Sequence, residues 1–161
     1  MAIDAITVRS QLIPLEGLRL VLPNTSIAEV VTHQSVDAAE YDNPPQWVIG
    51  QLQWRGMKIP LLSYESAIGN AETDASAKSA RVVVINAGSH TDTLPFYAII
   101  SQGIPRLMAL NESAIIDAPD QSETPYILRN TLIDANPAII PNMEKIESDL
   151  HYANINAREL V

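Results

Sequence analysis

The chain has 161 residues, 47% of them hydrophobic, 18% charged and none cysteine, with a formal net charge of −9. That length and apolar content suit one folded domain rather than a disordered chain, and the missing cysteines exclude disulfides, thiolate nucleophiles and cysteine-based zinc sites. The acidic balance and ten scattered basic residues argue against nucleic acid or an anionic bilayer as the main partner.

No apolar stretch is long enough to span a membrane, and the opening Met-Ala-Ile-Asp lacks the basic start and apolar run of a signal peptide, so a cytoplasmic location is expected. Residues 1–10 show little periodicity and read as a loose lead-in or an edge strand. Leu12, Leu18, Leu20 and Leu22 then give alternating apolar positions, broken by a turn at Glu16-Gly17. Pro23–Ser26 reads as a second turn and Ile27–Val31 as a third strand, with Glu29 set among apolar neighbours. From Thr32 to Pro45 the chain is polar. It ends in Asn43-Pro44-Pro45, where an N-cap and a proline at a first helical position predict a single helical turn.

The stretch Gln46–Ile68 is the most informative. Leu52 and Trp54 alternate with Gln51, Gln53 and Arg55, a half-buried strand, and the alternation resumes at Met57-Lys58-Ile59. A two-residue turn at Arg55-Gly56 sets Trp54 opposite Met57, Gln53 opposite Lys58 and Leu52 opposite Ile59, placing the apolar residues on one face. Pro60 lacks an N–H, so the second strand stops pairing there or continues as an edge, and Ser63 caps a short helix reaching Ile68. Trp54 belongs to the core in this register; Trp47 falls on the expected helical turn.

Residues 69–80 are small and polar and predict a mobile loop. Arg81–Ala87 is a continuous β-branched run, a strand buried on both faces. Gly88–Pro95 reads as a turn, Phe96–Ser101 and Gly103–Met108 as strands, and Asp117–Pro125 as another loop. Tyr126–Ile133 and Ala138–Ile140 form a second hairpin through Asp134-Ala-Asn-Pro. Asn142 caps a helix with Met143, Ile146 and Leu150 on one face, and the last residues read as its continuation or a frayed tail.

An internal echo runs through this order. Hairpin, Ile59-Pro60 and capped helix recur as hairpin, Ile140-Pro141 and capped helix, while Leu18–Val31 and Phe96–Met108 are each strand, turn, strand. Two copies of a small β unit imply two packed lobes, neither large enough to stand alone, and many short strands punctuated by Gly and Pro favour barrels over an open parallel sheet.

Trp47-Val-Ile-Gly50, Gln53-Trp-Arg-Gly56 and Ile59-Pro-Leu-Leu62, in that order and spacing, resemble the central signature of CheW-like chemotaxis coupling proteins. Weaker resemblance extends over Leu18–Ile146. The resemblance implies a single mainly β domain over residues 1–161: two SH3-like five-stranded β-barrel lobes sharing a core, with short helices including one near the C-terminus. It also implies a non-enzymatic scaffold that bridges the regulatory domain of a CheA-type histidine kinase to the cytoplasmic tips of methyl-accepting chemoreceptors. By motif, the family's docking Glu and Arg fall on Glu29 and Arg55, with Gly56 in the turn and Ile27 and Val30 as flanking apolar contacts. The chain departs from the family pattern at Gln11–Leu22, at Ile100–Ile104 and at Ser63, where an Asp is common. Those departures suggest an accessory version, one serving surface or pilus-based motility.

Chemistry elsewhere is sparse. His33, His90 and His151 are far apart in sequence and lack helical i, i+4 partners, so they read as surface residues rather than metal ligands. No Gly-x-Ser-x-Gly elbow or phosphate-cradling glycine loop exists, and no cofactor is expected. Two rivals stay open: an enzyme pairing Glu29 with Asp117 or Asp134, and a small-molecule-binding β-barrel regulator with an enclosed apolar cavity.

Overall fold

The computed structural model describes residues 7–32, 36–69, 79–119 and 124–160. Most of the expected loop at 69–80, part of that at 117–125, and His33 lie outside the described residues.

Among the described residues twelve strands and two α-helices follow in order: β1 (Val8–Leu15), β2 (Leu18–Pro23), β3 (Ile27–Thr32), β4 (Val48–Trp54), β5 (Met57–Leu62), α1 (Tyr64–Ala67), β6 (Arg81–Asn86), β7 (Phe96–Ser101), β8 (Arg106–Leu110), β9 (Ile116–Asp117), β10 (Ile127–Ile133), β11 (Asn136–Pro141), α2 (Met143–Tyr152) and β12 (Arg158–Glu159). They form two sheets, ordered β8-β1-β2-β11-β10-β9 and β12-β5-β7-β6-β3, with β4 also paired to β5. Each lobe thus has the expected five strands plus one two-residue strand, β9 or β12.

The Arg55-Gly56 hairpin forms in the register read from the sequence, with Trp54 opposite Met57 and Leu52 opposite Ile59. Both turn residues have positive φ, 46° at Arg55 and 76° at Gly56, the twist-matched geometry of a two-residue loop. Asp134 and Ala135 do the same at 52° and 62°, so the second hairpin turns more tightly than its proline suggested. Strand β5 runs past Pro60 to Leu62 and is no edge. It carries β4 along one side and, along the other, β12 at Met57–Lys58 and β7 at Leu61–Leu62, so the proline lies in the gap between those two partners. Ser63 Oγ accepts from Ser66 N at 3.2 Å and Asn142 Oδ1 from Lys145 N at 3.1 Å, capping α1 and α2.

Two further expectations fail. Asn43 starts no helix: its φ of 48° is left-handed rather than extended, as an N-cap requires, and the chain turns at Gln46-Trp47 into β4. The residues after α2 are neither helix nor frayed end, because β12 adds to β5. The segments Leu18–Val31 and Phe96–Met108 are each strand, turn and strand as read, but the two strands of each segment do not pair. β2 lies in the first sheet and β3 in the second, while β7 lies in the second and β8 in the first, so the backbone crosses between lobes at both places, and it crosses a third time from β11 through α2 to β12.

These crossings explain the apolar runs. In β6, Val82 and Val84 point into the second barrel, with Leu52, Trp54 and Ile59, while Val83 and Ile85 point into a core shared by both lobes. In β2, Val21 lines the first barrel with Leu12 and Leu110, and Leu20 and Leu22 face the shared core. α2 seals that core with Ile146 and Leu150. Its Glu147 is 3% exposed and accepts from Gly88 N, Ser89 N, Ser89 Oγ and the Tyr97 hydroxyl at 2.7–2.9 Å, which compensates the burial of its carboxylate.

The connection after β3 lies on β4 through a two-way bridge: Asp37 N donates to Gln51 O at 2.8 Å and Gln51 N to Asp37 O at 3.0 Å. Gly50 makes this possible, since a Cβ there would lie 2.6 Å from Val36 Cγ1 and 2.7 Å from Asp37 O. Gly50→Ala should therefore cost about 1–3 kcal/mol of stability in denaturant unfolding. Gly88→Ala, whose Cβ would meet only Glu147 Oε1 at 3.9 Å, is the comparison. An unshifted midpoint for Gly50→Ala would show that the connection does not pack there.

Candidate functional site

A carboxylate on a strand must find solvent or a cation. Glu29 finds both. It stands on β3 opposite Val84, just after a bulge at Ala28 that shifts the register. Its Oε1 accepts from Arg55 Nη2 at 2.8 Å and its Oε2 from the Trp54 indole Nε1 at 3.2 Å. The Arg55 guanidinium also lies 4.8 Å from the Trp54 ring centroid. Three residues from two strands and one turn thus make a closed set, in which the cation is held by a carboxylate and by a π face.

The hairpin positions this set. Trp54 is 5% exposed and packs on Phe96 with ring centroids 4.8 Å apart, so its indole is fixed by the second barrel's interior while its N–H reaches the rim. Arg55, at the turn, is 65% exposed at its side chain and Glu29 36%. With one nitrogen engaged, the rest of the guanidinium fork faces solvent. Arg55 and then the Trp54 indole, each bonded to the carboxylate, hold the Glu29 pKa below its ordinary value of 4.5, against the smaller effect of burial.

Among the other expected site residues, Val30 is exposed, Ile27 is half-buried against the shared core and Gly56 shapes the turn. Ile27 therefore has a packing role whatever else it does. Trp47 is buried, its ring edge-on to Tyr126 at 5.6 Å.

The rival carboxylate pairs are not assembled. Asp117 pairs with Arg129 at 2.7 Å on β9 and β10, and Asp134 sits in the β10–β11 turn, all in the other sheet from Glu29. The cleft under Trp47 has no room for a water, whereas an open cleft of about 340 Å³ is lined by Leu18, Ile68, Leu132 and Ile139. His90 and His151, unconnected in the sequence, stack at 4.0 Å, yet no metal-holding cluster exists among the described residues. No helix among them is long and apolar enough to cross a membrane.

Sequence reasoning missed the Trp54 indole as a partner of Glu29 and Glu147 as a buried anchor. A signal existed for the second: position 147 falls one turn from Met143, on the apolar side of α2.

The family model of the CheW-like domain matches residues 10–150. The solved structure of the scaffolding protein TtCheW from Thermoanaerobacter tengcongensis superposes with a TM-score of 0.67 at 16% identity, covering 85% of this chain and 90% of that one. No curated protein sequence matches significantly. The chain belongs to the CheW-like family. It is accordingly a non-enzymatic scaffold-type protein of chemotaxis signalling.

Because the folded protein binds the Glu29 proton less tightly than the unfolded chain, the contact contributes above the ordinary glutamate range and is lost as pH falls through the lowered value. In an NMR titration the Trp54 indole N–H resonance should hold steady to below pH 4.5 and then move, with the midpoint rising toward 4.5 in Arg55→Ala. A wild-type midpoint at or above 4.5 would contradict this pairing.

Proposed function

We propose that the chain couples a CheA-type histidine kinase to methyl-accepting chemoreceptors in the cytoplasm, taking the kinase's regulatory domain and the receptors' cytoplasmic tips as its two partners. Ile27, Glu29, Val30, Arg55 and Gly56 are the docking residues in this reading. The observation that carries it is the Glu29–Trp54–Arg55 set: an exposed guanidinium held at a hairpin tip by a carboxylate and by an indole anchored in the second barrel, with exposed Val30 next along β3 on the strand's other face. A fixed, exposed cation next to apolar surface sets the register of an interface, while buried apolar area supplies affinity. Family membership supports the same reading. Ser63, a helix cap here, and Gln102, half-buried at a lobe crossing, depart from the family pattern and favour an accessory member, one serving pilus-based motility.

Charge reversal separates docking from folding. Arg55→Glu and, independently, Glu29→Arg should each lower capture of purified kinase regulatory domain or receptor-tip fragment about tenfold, about 1.4 kcal/mol of binding. Thermal unfolding should move by no more than about 2–4 °C, because the pair is exposed. Undiminished capture of both partners by both variants would remove this surface from the docking site.

A further inference from the structure

After α2 the backbone reverses at Asn154, φ 58°, buries Ile155 in the shared core and donates from Ala157 N to Thr93 O at 3.1 Å. Those contacts fasten the segment. The next three residues are held differently. Arg158 and Glu159 pair with Lys58 and Met57, and Leu160 N donates to Gly56 O at 2.8 Å, yet all three side chains are exposed.

The pairing also sets like charges together. Arg158 stands directly opposite Lys58, an unfavourable cross-strand neighbour in an antiparallel ladder. On the β4 side Lys58 faces neutral Gln53, and its carboxylate neighbour, Glu40, is 3.9 Å away and 65% exposed, a weak offset. A two-residue strand with no buried side chain and a repulsive pair is among the first parts of a fold to open. An opening of this strand would stop at Ala157, whose N–H is held by Thr93 O. It would leave the backbone groups of Met57 and Lys58 without a strand, next to the Gly56 carbonyl and the exposed Arg55.

We propose that this edge of β5 is a strand-addition site for an extended, carboxylate-bearing segment of another protein, and that Arg158–Leu160 is a placeholder which such a segment displaces. Backbone pairing supplies the binding, and an acid set opposite Lys58, where the chain itself places Arg158, supplies the preference. The proposal needs neither the kinase nor the receptor as partner, so it stands or falls apart from the docking role of Glu29 and Arg55.

The test uses the full chain and two labelled synthetic peptides of residues 155–160, one native and one bearing Arg158→Glu, titrated by fluorescence anisotropy. In the Leu160→Pro variant, which lacks the N–H that closes on Gly56, the substituted peptide should bind about threefold tighter than the native one. Lys58→Glu in that background should reverse the order. The chain with Leu160 intact should bind the substituted peptide about threefold more weakly, and deletion of residues 158–161 should match Leu160→Pro. Equal affinity for the two peptides, a preference unmoved by Lys58→Glu, or equal binding with the placeholder present and absent would each overturn the proposal.

Discussion

The structure depends on an apolar interior that belongs to neither lobe. Ile13, Leu20 and Ile139 from one sheet meet Val83, Tyr97 and Ile99 from the other, and α2 covers the junction with Ile146 and Leu150. All of these residues are buried. Strands with one face in a private barrel and the other in this common layer have no wet side, which is why β6 and β7 are apolar along their length. Because the backbone crosses between lobes at Asn24–Ser26 and again between β7 and β8, the first barrel is assembled from two chain segments that flank the continuous run β3–β7 of the second.

That constraint accounts for the rigidity of the rim. Trp54 is anchored by the second barrel, and its indole N–H and ring face position Glu29 and Arg55, which also pair with each other. An exposed pair in water contributes little stability. In the proposed docking role its worth would lie in pre-ordering a cation for a partner that would otherwise have to immobilise a long, flexible side chain. β12 lies against the same hairpin, so the edge beside the tip is covered by the chain's own backbone.

Much of this was legible in the amino-acid sequence, for local reasons. The alternation around Arg55-Gly56 specified both strand and register, because a two-residue turn leaves one pairing that keeps Leu52, Trp54 and Ile59 on one face. Ser63 and Asn142 announced their helices through short-range caps, and the recurring Ile-Pro marked the repeated unit. What was not legible was decided at long range. A strand, a turn and a strand look alike whether they pair or part, so nothing near Pro23–Ser26 reveals that β2 and β3 enter different sheets. β12 carries an arginine and a glutamate with no apolar signal, and its partner lies about a hundred residues earlier. Asn43-Pro44 has the composition of a helix start, yet the bridge from Asp37 to Gln51 fixes the preceding chain on β4 and the backbone enters that strand through a turn. Glu29 and Arg55 were both singled out by motif; the third member of their set, the Trp54 indole, emerged only once the barrel placed the ring edge at the rim.

Native-state amide hydrogen exchange across the two barrels tests the shared interior most directly. If one core serves both lobes, the slowest amides of β1 and β2 and those of β6 and β7 will exchange through a single global opening, with the same free energy and the same loss on Ile139→Ala. Separate opening energies for the two sets, with Ile139→Ala lowering only the first, would contradict it.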